Sequence, residues 1–195
     1  MKKNREETIR TFIAIELPAE IHASLQRVQD DLRESMPDVR WTKYGNVHLT
    51  LKFLGDVQVS RIDPIGSALR QIASQFSPFV VNLAGMGAFP DPRKPRIVWV
   101  GVEKGVDRLV EITNQIETAM EKLGFPREGR PFKPHLTVGR IRELKQPSVT
   151  TGALERVEVG EIGEFTVERI SLIKSQLDPA GSIYTILTEA LLGGT

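Results

Sequence analysis

His48-Leu49-Thr50 returns 87 positions later (135 − 48) as His135-Leu136-Thr137, and this repetition constrains the fold of the 195-residue chain more than any other feature. Each copy lies in a run that reads as a β-strand, residues 46–54 and 134–141. Side chains alternate between the two faces of a strand. His48 and Thr50 then share one face, and Val47, Leu49, Leu51 and Phe53 the other. In the second run His135 and Thr137 share a face, with Leu136 and Val138 opposite. The same shift of 87 carries Ile13 onto Val100 and Ile15 onto Val102. It brings the helix from Ile21 onto one from Leu109, one position out. Residues 79–83 correspond more loosely to 167–172, and 97–102 to 183–187. Repeats this long are not solenoid units. They imply two similar lobes about a pseudo-two-fold axis, with the two His strands facing each other across it.

The remaining elements follow from spacing. Residues 1–9 read as a solvated tail and 11–17 as a strand ended by Pro18. Ile21, Leu25, Val28 and Leu32 mark one amphipathic helix; Ile62, Ile65, Leu69, Ile72 and Phe76 mark a second. Val106, Leu109, Ile116, Met120 and Leu123 mark a third, closed by Gly124. Strands are expected at 79–83, 96–102, 162–173 (broken around Gly163-Glu164) and 182–187, with 166–173 and 182–187 pairing as a hairpin. Residues 85–95 carry Gly and Pro too densely for a regular element. Residues 143–160 give no clear pattern.

Composition narrows the function classes. Lys plus Arg is 26 against 25 Asp plus Glu, a net charge of +1, which argues against a protein that coats nucleic acid. There is no cysteine, hence no disulfide, thiolate nucleophile or cysteine zinc site. No apolar run approaches the ~20 residues of a membrane span, and the charged start is not a signal peptide. A cytoplasmic protein without membrane contact is expected.

Two imidazoles and two hydroxyls converging on one cleft make a site for acid–base chemistry on a phosphate. The two motifs, 48–55 and 134–140, resemble those of the two-histidine (2H) phosphoesterases, and within them the RNA 2′,3′-cyclic phosphodiesterase (2′-5′ RNA ligase) family. Residues 10–18, Arg40-Trp41, Gly87-Ala88-Phe89-Pro90, Pro95-Arg96, Ser175 and 181–184 share the likeness, which spans about residues 10–187. The resemblance implies an α+β fold of two pseudo-symmetric lobes, each an antiparallel sheet with helices on its outer face, around a central active-site cleft. The whole chain would then be one catalytic domain built of two duplicated lobes.

The resemblance also implies the chemistry: hydrolysis of RNA 2′,3′-cyclic phosphate ends to 2′-phosphomonoesters, with no cofactor and no metal. The carboxylate clusters that hold magnesium are missing from the motifs. By family assignment His48 is the proton donor and His135 the acceptor. Thr50 and Thr137 bind the nonbridging oxygens, and Arg140 the phosphate. Imidazole titrates near ~6.5, so one ring neutral and one charged predicts a bell-shaped pH–rate profile. The expected partner is RNA with a cyclic phosphate end, or a small cyclic nucleotide, bound by a monomer. Ligation by the reverse reaction and a non-catalytic RNA-binding module are the alternatives.

Strand alternation sets several finer expectations. Arg140 falls opposite His135 and reaches the site only if the strand bulges or ends near Gly139. Lys52 shares His48's face, and Phe53 joins the core. Trp41 and Phe132 are candidates to stack a base. His22 is structural or solvent-facing, and the Arg93–Arg96 loop is a solvated turn or an RNA-tail contact.

Overall fold

A computed structural model describes residues 7–179 and 181–193. Nine strands form one sheet in the order β7-β4-β5-β6-β3-β1-β8-β9, every pair antiparallel, with the short β2 added to β6. In chain order the strands are β1 (Thr8–Glu16), β2 (Arg40–Trp41), β3 (His48–Gln58), β4 (Phe79–Phe89), β5 (Ile97–Lys104), β6 (His135–Arg140), β7 (Glu161–Val167), β8 (Arg169–Gln176) and β9 (Ile183–Leu191). The helices are α1 (Ala19–Leu32), α2 (Ile62–Ala73), α3 (Val106–Lys122) and α4 (Pro147–Arg156). Two half-sheets meet at β3 and β6, where a single pair, Leu49 opposite Leu136, joins them. Both leucines are fully buried.

The two lobes predicted by the repeat are present, and they are interlocked. Beside β3 and β1 of the first repeat stand β8 and β9 of the second. Beside β6 and β5 of the second repeat stands β4 of the first. The helices cross in the same way: α1 follows β1 yet packs against β7, and α3 follows β5 yet packs against β3. By position in the sheet, β5 is equivalent to β1, and β9 to β7. The looser match of 97–102 with 183–187 is therefore not a positional one.

Burial explains the layering. Leu49, Leu136, Val98, Val100 and Leu172 enter one core together with Leu25, Leu69, Leu109 and Ile116 from the helices. The opposite face of the sheet carries the histidines. Where Val28 was expected to face the core of α1, Gln29 is buried instead.

Other boundaries differ from the sequence reading. Residues 1–6 lie outside the described residues, but the expected tail is too long, since Thr8 and Ile9 already pair with Gln58 and Val57. β4 runs on through Gly85 and Gly87 to Phe89, because its partner β5 places the Trp99 ring over Gly87, where a β-carbon would lie 2.3 Å from it. The unread segment 143–160 contains α4, and the break in the 162–173 region falls at Glu168 rather than at Gly163.

Candidate active site

The site grows from the Leu49–Leu136 pair. In an antiparallel ladder, residues flanking such a pair lie opposite each other, so His48 faces Thr137 and Thr50 faces His135. All four point away from the buried leucines, into the open face. The two histidines sit on a diagonal, where residues of a regular ladder lie roughly 7–8 Å apart and their β-carbons somewhat less. Neither threonine hydroxyl is engaged by another described residue.

Both rings are tethered alike. His48 Nδ1 lies 3.1 Å from the carbonyl of Asn46, and His135 Nδ1 lies 2.7 Å from that of Lys133. A carbonyl only accepts, so each Nδ1 carries the hydrogen and each Nε2 is left for the cleft. Asn46 is itself fixed, its amide donating to Ser182 O at 2.9 Å. Phe12 stacks on His48 at 4.6 Å and Tyr184 meets it edge-on at 5.2 Å. Phe89 meets His135 edge-on at 5.1 Å. Burial lowers the His48 pKa from 6.5 to about 4; the Asn46 carbonyl opposes this, and the charges of Arg140 and then His22 add to the lowering.

A β-bulge follows each threonine. In β3 the register passes from Ala14–Thr50 to Ile13–Lys52, leaving Leu51 extra. In β6 it passes from Trp99–Thr137 to Val98–Gly139, leaving Val138 extra. An extra residue reverses the alternation beyond it. Arg140 is thereby turned to the histidine face, the condition under which it reaches the site. Lys52 and Phe53 exchange places relative to expectation. Lys52 enters the core, and Phe53 is 62% exposed on the cleft side with its ring 6.0 Å from Phe12.

Each bulge is held by a helix that crosses from the other repeat. Buried Gln29 of α1 donates to the carbonyls of Val138 at 3.0 Å and Thr42 at 3.2 Å. Glu117 of α3, displaced from Gln29 by the same 88 positions that separate Ile21 from Leu109, accepts from Lys52 Nζ at 2.7 Å. Lys52 also donates to Pro126 O at 2.9 Å, and Glu117 accepts from Glu128 N at 3.1 Å. The strand after Thr50 is thus tied to the loop that delivers His135. Nothing in the motifs marked Gln29 or Glu117; a polar residue on the apolar stripe of each paired helix was the available signal.

The LigT-like phosphoesterase pattern matches the chain twice, over residues 15–99 and 100–184, the two repeats in turn. The chain belongs to that family. An RNA 2′,3′-cyclic phosphodiesterase of Methanothermobacter thermautotrophicus is 33% identical over 91% of this chain and 95% of its own. One of Aquifex aeolicus is 30% identical over 96% and 100%. Among solved structures, Escherichia coli LigT complexed with 3′-AMP superposes with a TM-score of 0.77 at 26% identity, covering 95% of this chain and 99% of that one.

In this LigT-like phosphoesterase, His22 lines one cavity with His48, while the other sequence candidates are engaged elsewhere. Trp41 and Phe132 are partly buried against the core, so neither presents an open ring face comparable with Phe53. Asp91 Oδ1 folds the Arg93–Arg96 segment into a turn, accepting from Arg93 N at 2.7 Å, and Arg96 donates to Arg142 O at 2.6 Å. His22 is half-buried with its ring 5.6 Å from Tyr44. Among the described residues no cluster of His, Cys, Asp and Glu is arranged to hold a metal ion, and no helix is long and apolar enough to cross a membrane.

Proposed function

We propose that this protein opens RNA 2′,3′-cyclic phosphate ends to 2′-phosphomonoesters by acid–base catalysis between His48 and His135. The observation that carries the reading is the shared tether: two Nδ1 atoms fixed on carbonyls, two Nε2 atoms left for one cleft. Water attacks phosphorus as His135 Nε2 takes its proton. The bond from phosphorus to the ribose O3′ breaks as His48 Nε2 delivers a proton to that oxygen. Thr50 and Thr137 hydroxyls donate to the nonbridging oxygens, where charge builds, and the Arg140 guanidinium binds the phosphate. A low His48 pKa makes the protonated ring a strong acid, and a phosphate anion beside it raises the population of that form. Because both lobes of one chain complete the cleft, the enzyme works as a monomer; the whole chain acts as one domain, in the cytoplasm.

The test is an oligonucleotide with a 2′,3′-cyclic phosphate end, incubated with the protein in chelator, the product read by ³¹P NMR. The 2′-phosphomonoester is expected. His48→Ala and His135→Ala should each lose about 10²–10⁴-fold in kcat. A 3′-phosphate product, or undiminished turnover in either variant, overturns the assignment.

A further inference from the structure

A cavity opens at His48, on a side of the site that His135 does not line. It measures about 430 Å³ and is lined by Glu16, His22, Asn46, His48, Ile173 and Tyr184 among others, within the size range of small-molecule sites. Glu16 is the cross-strand partner of His48, so its carboxylate stands on the histidine face. Glu16 lines the cavity, and its Oε2 accepts from the buried Ser171 hydroxyl at 3.0 Å, which fixes the carboxylate. Among the described residues lining the space there is no lysine or arginine, although Arg169 on β8 lies near enough to Glu16 for their charges to interact. Burial lowers the His22 pKa and favours its neutral form.

The other lobe has no counterpart. Gly101 faces His135 where Glu16 faces His48. A β-carbon there would come within 2.8 Å of the Ala84 carbonyl. The duplication is therefore broken at this position, in favour of a carboxylate beside the first histidine. Arg140 pairs across the ladder with Arg40, and both are exposed.

A fixed carboxylate repels phosphate, so the cavity, with the rings of Tyr184 and His22 among its walls, suits the uncharged part of a nucleotide. A carboxylate only accepts hydrogen bonds. Guanine presents two adjacent N–H groups, N1–H and N2–H, on one edge. Adenine and cytosine present one amino group. Uracil presents a single N–H between two carbonyl oxygens that a carboxylate repels. Resting on the cyclic phosphodiesterase reading, we propose that this cavity receives the base of the terminal nucleotide and that Glu16 makes guanine the preferred base.

The test compares the 2′,3′-cyclic phosphates of guanosine, adenosine, cytidine and uridine on the intact chain. Wild type should favour guanosine over uridine by about ten- to a hundredfold in kcat/KM, the discrimination of a bidentate contact. Glu16→Gln, which keeps the shape and adds a donor, should collapse that ratio by about tenfold or more while uridine turnover persists. An unchanged ratio in Glu16→Gln overturns the proposal. So does a ranking that moves with Phe53→Ala instead, because the base then lies at the other end of the cleft. Calorimetric binding of guanosine and uridine 2′-monophosphates reads the cavity without turnover. A Glu16-dependent guanosine preference in binding, with no hydrolysis of any cyclic phosphate, supports the base site and overturns the phosphodiesterase reading alone.

Discussion

At the scale of single residues, two extra amino acids decide what faces the phosphate. Without Val138 in excess, Arg140 would lie on the helix side of the sheet; without Leu51 in excess, Phe53 would be core. Alternation along a strand reveals His48, Thr50, His135 and Thr137, because each motif ends before its bulge begins. It misassigns Lys52 and Phe53 because a bulge is specified by the partners that grip it, Gln29 and Glu117, which come from distant parts of the chain. Arg140 also bears on acidity. The free enzyme needs one ring neutral, so the acid limb of its kcat/KM profile should fall near pH 4, where His48 gains a second charge for the pair. Arg140→Met removes a cation that opposes this protonation, so the limb should move to higher pH. The kcat profile, which reports the complex, should also show a higher limb than kcat/KM, since a bound anion favours the charged ring. Initial rates across pH 3–8 check both shifts, and a limb that stays in place in Arg140→Met would show that the guanidinium is too far away to matter.

At the scale of elements, the ion pair between β3 and α3 links one motif to the approach of the other. Lys52 and Glu117 are both almost fully enclosed, their side chains 4% and 10% exposed. Removing one partner from such a pair costs about 3–5 kcal/mol, whereas replacing both by apolar groups is often neutral. Lys52→Met should therefore lower the melting temperature, and the Lys52→Met/Glu117→Leu double variant should restore most of it. Turnover should not return with it, because Pro126 and Glu128 lose the tie that holds the loop before His135. Thermal unfolding and kcat measured on the same samples separate the two effects; recovery of both would reduce the pair to a packing role. Elements with a clear period, α1, α2 and α3, were legible in the sequence. α4 was not, since it buries only Thr150 and Leu154, and its start is fixed by Asp38, more than a hundred residues earlier, accepting from Lys145 N, Gln146 N and Thr150 Oγ1. The far half of β4 was hidden in the same way: glycine spacing signals a loop until Trp99 is seen to need the room.

At the scale of the molecule, exchange of strands and helices makes the lobes inseparable. Expressed apart, residues 1–95 lack β8 for β1 and residues 96–195 lack β4 for β5, so neither piece should fold. Far-UV circular dichroism and NMR dispersion should show each as unstructured, and mixing the two should restore the sheet and the cyclic phosphodiesterase activity. A stable, folded half would contradict the interlocked topology. Duplication was visible as a shift of 87 in the sequence, but not which strand lies beside which, since a shift carries no pairing information. The exchange also bears on descent. A lone copy of this repeat holds one imidazole and leaves a sheet edge open where strands of the other copy belong, β8 and β9 beside β1 and β4 beside β5. An ancestor with one copy would therefore have closed the cleft only by pairing two chains.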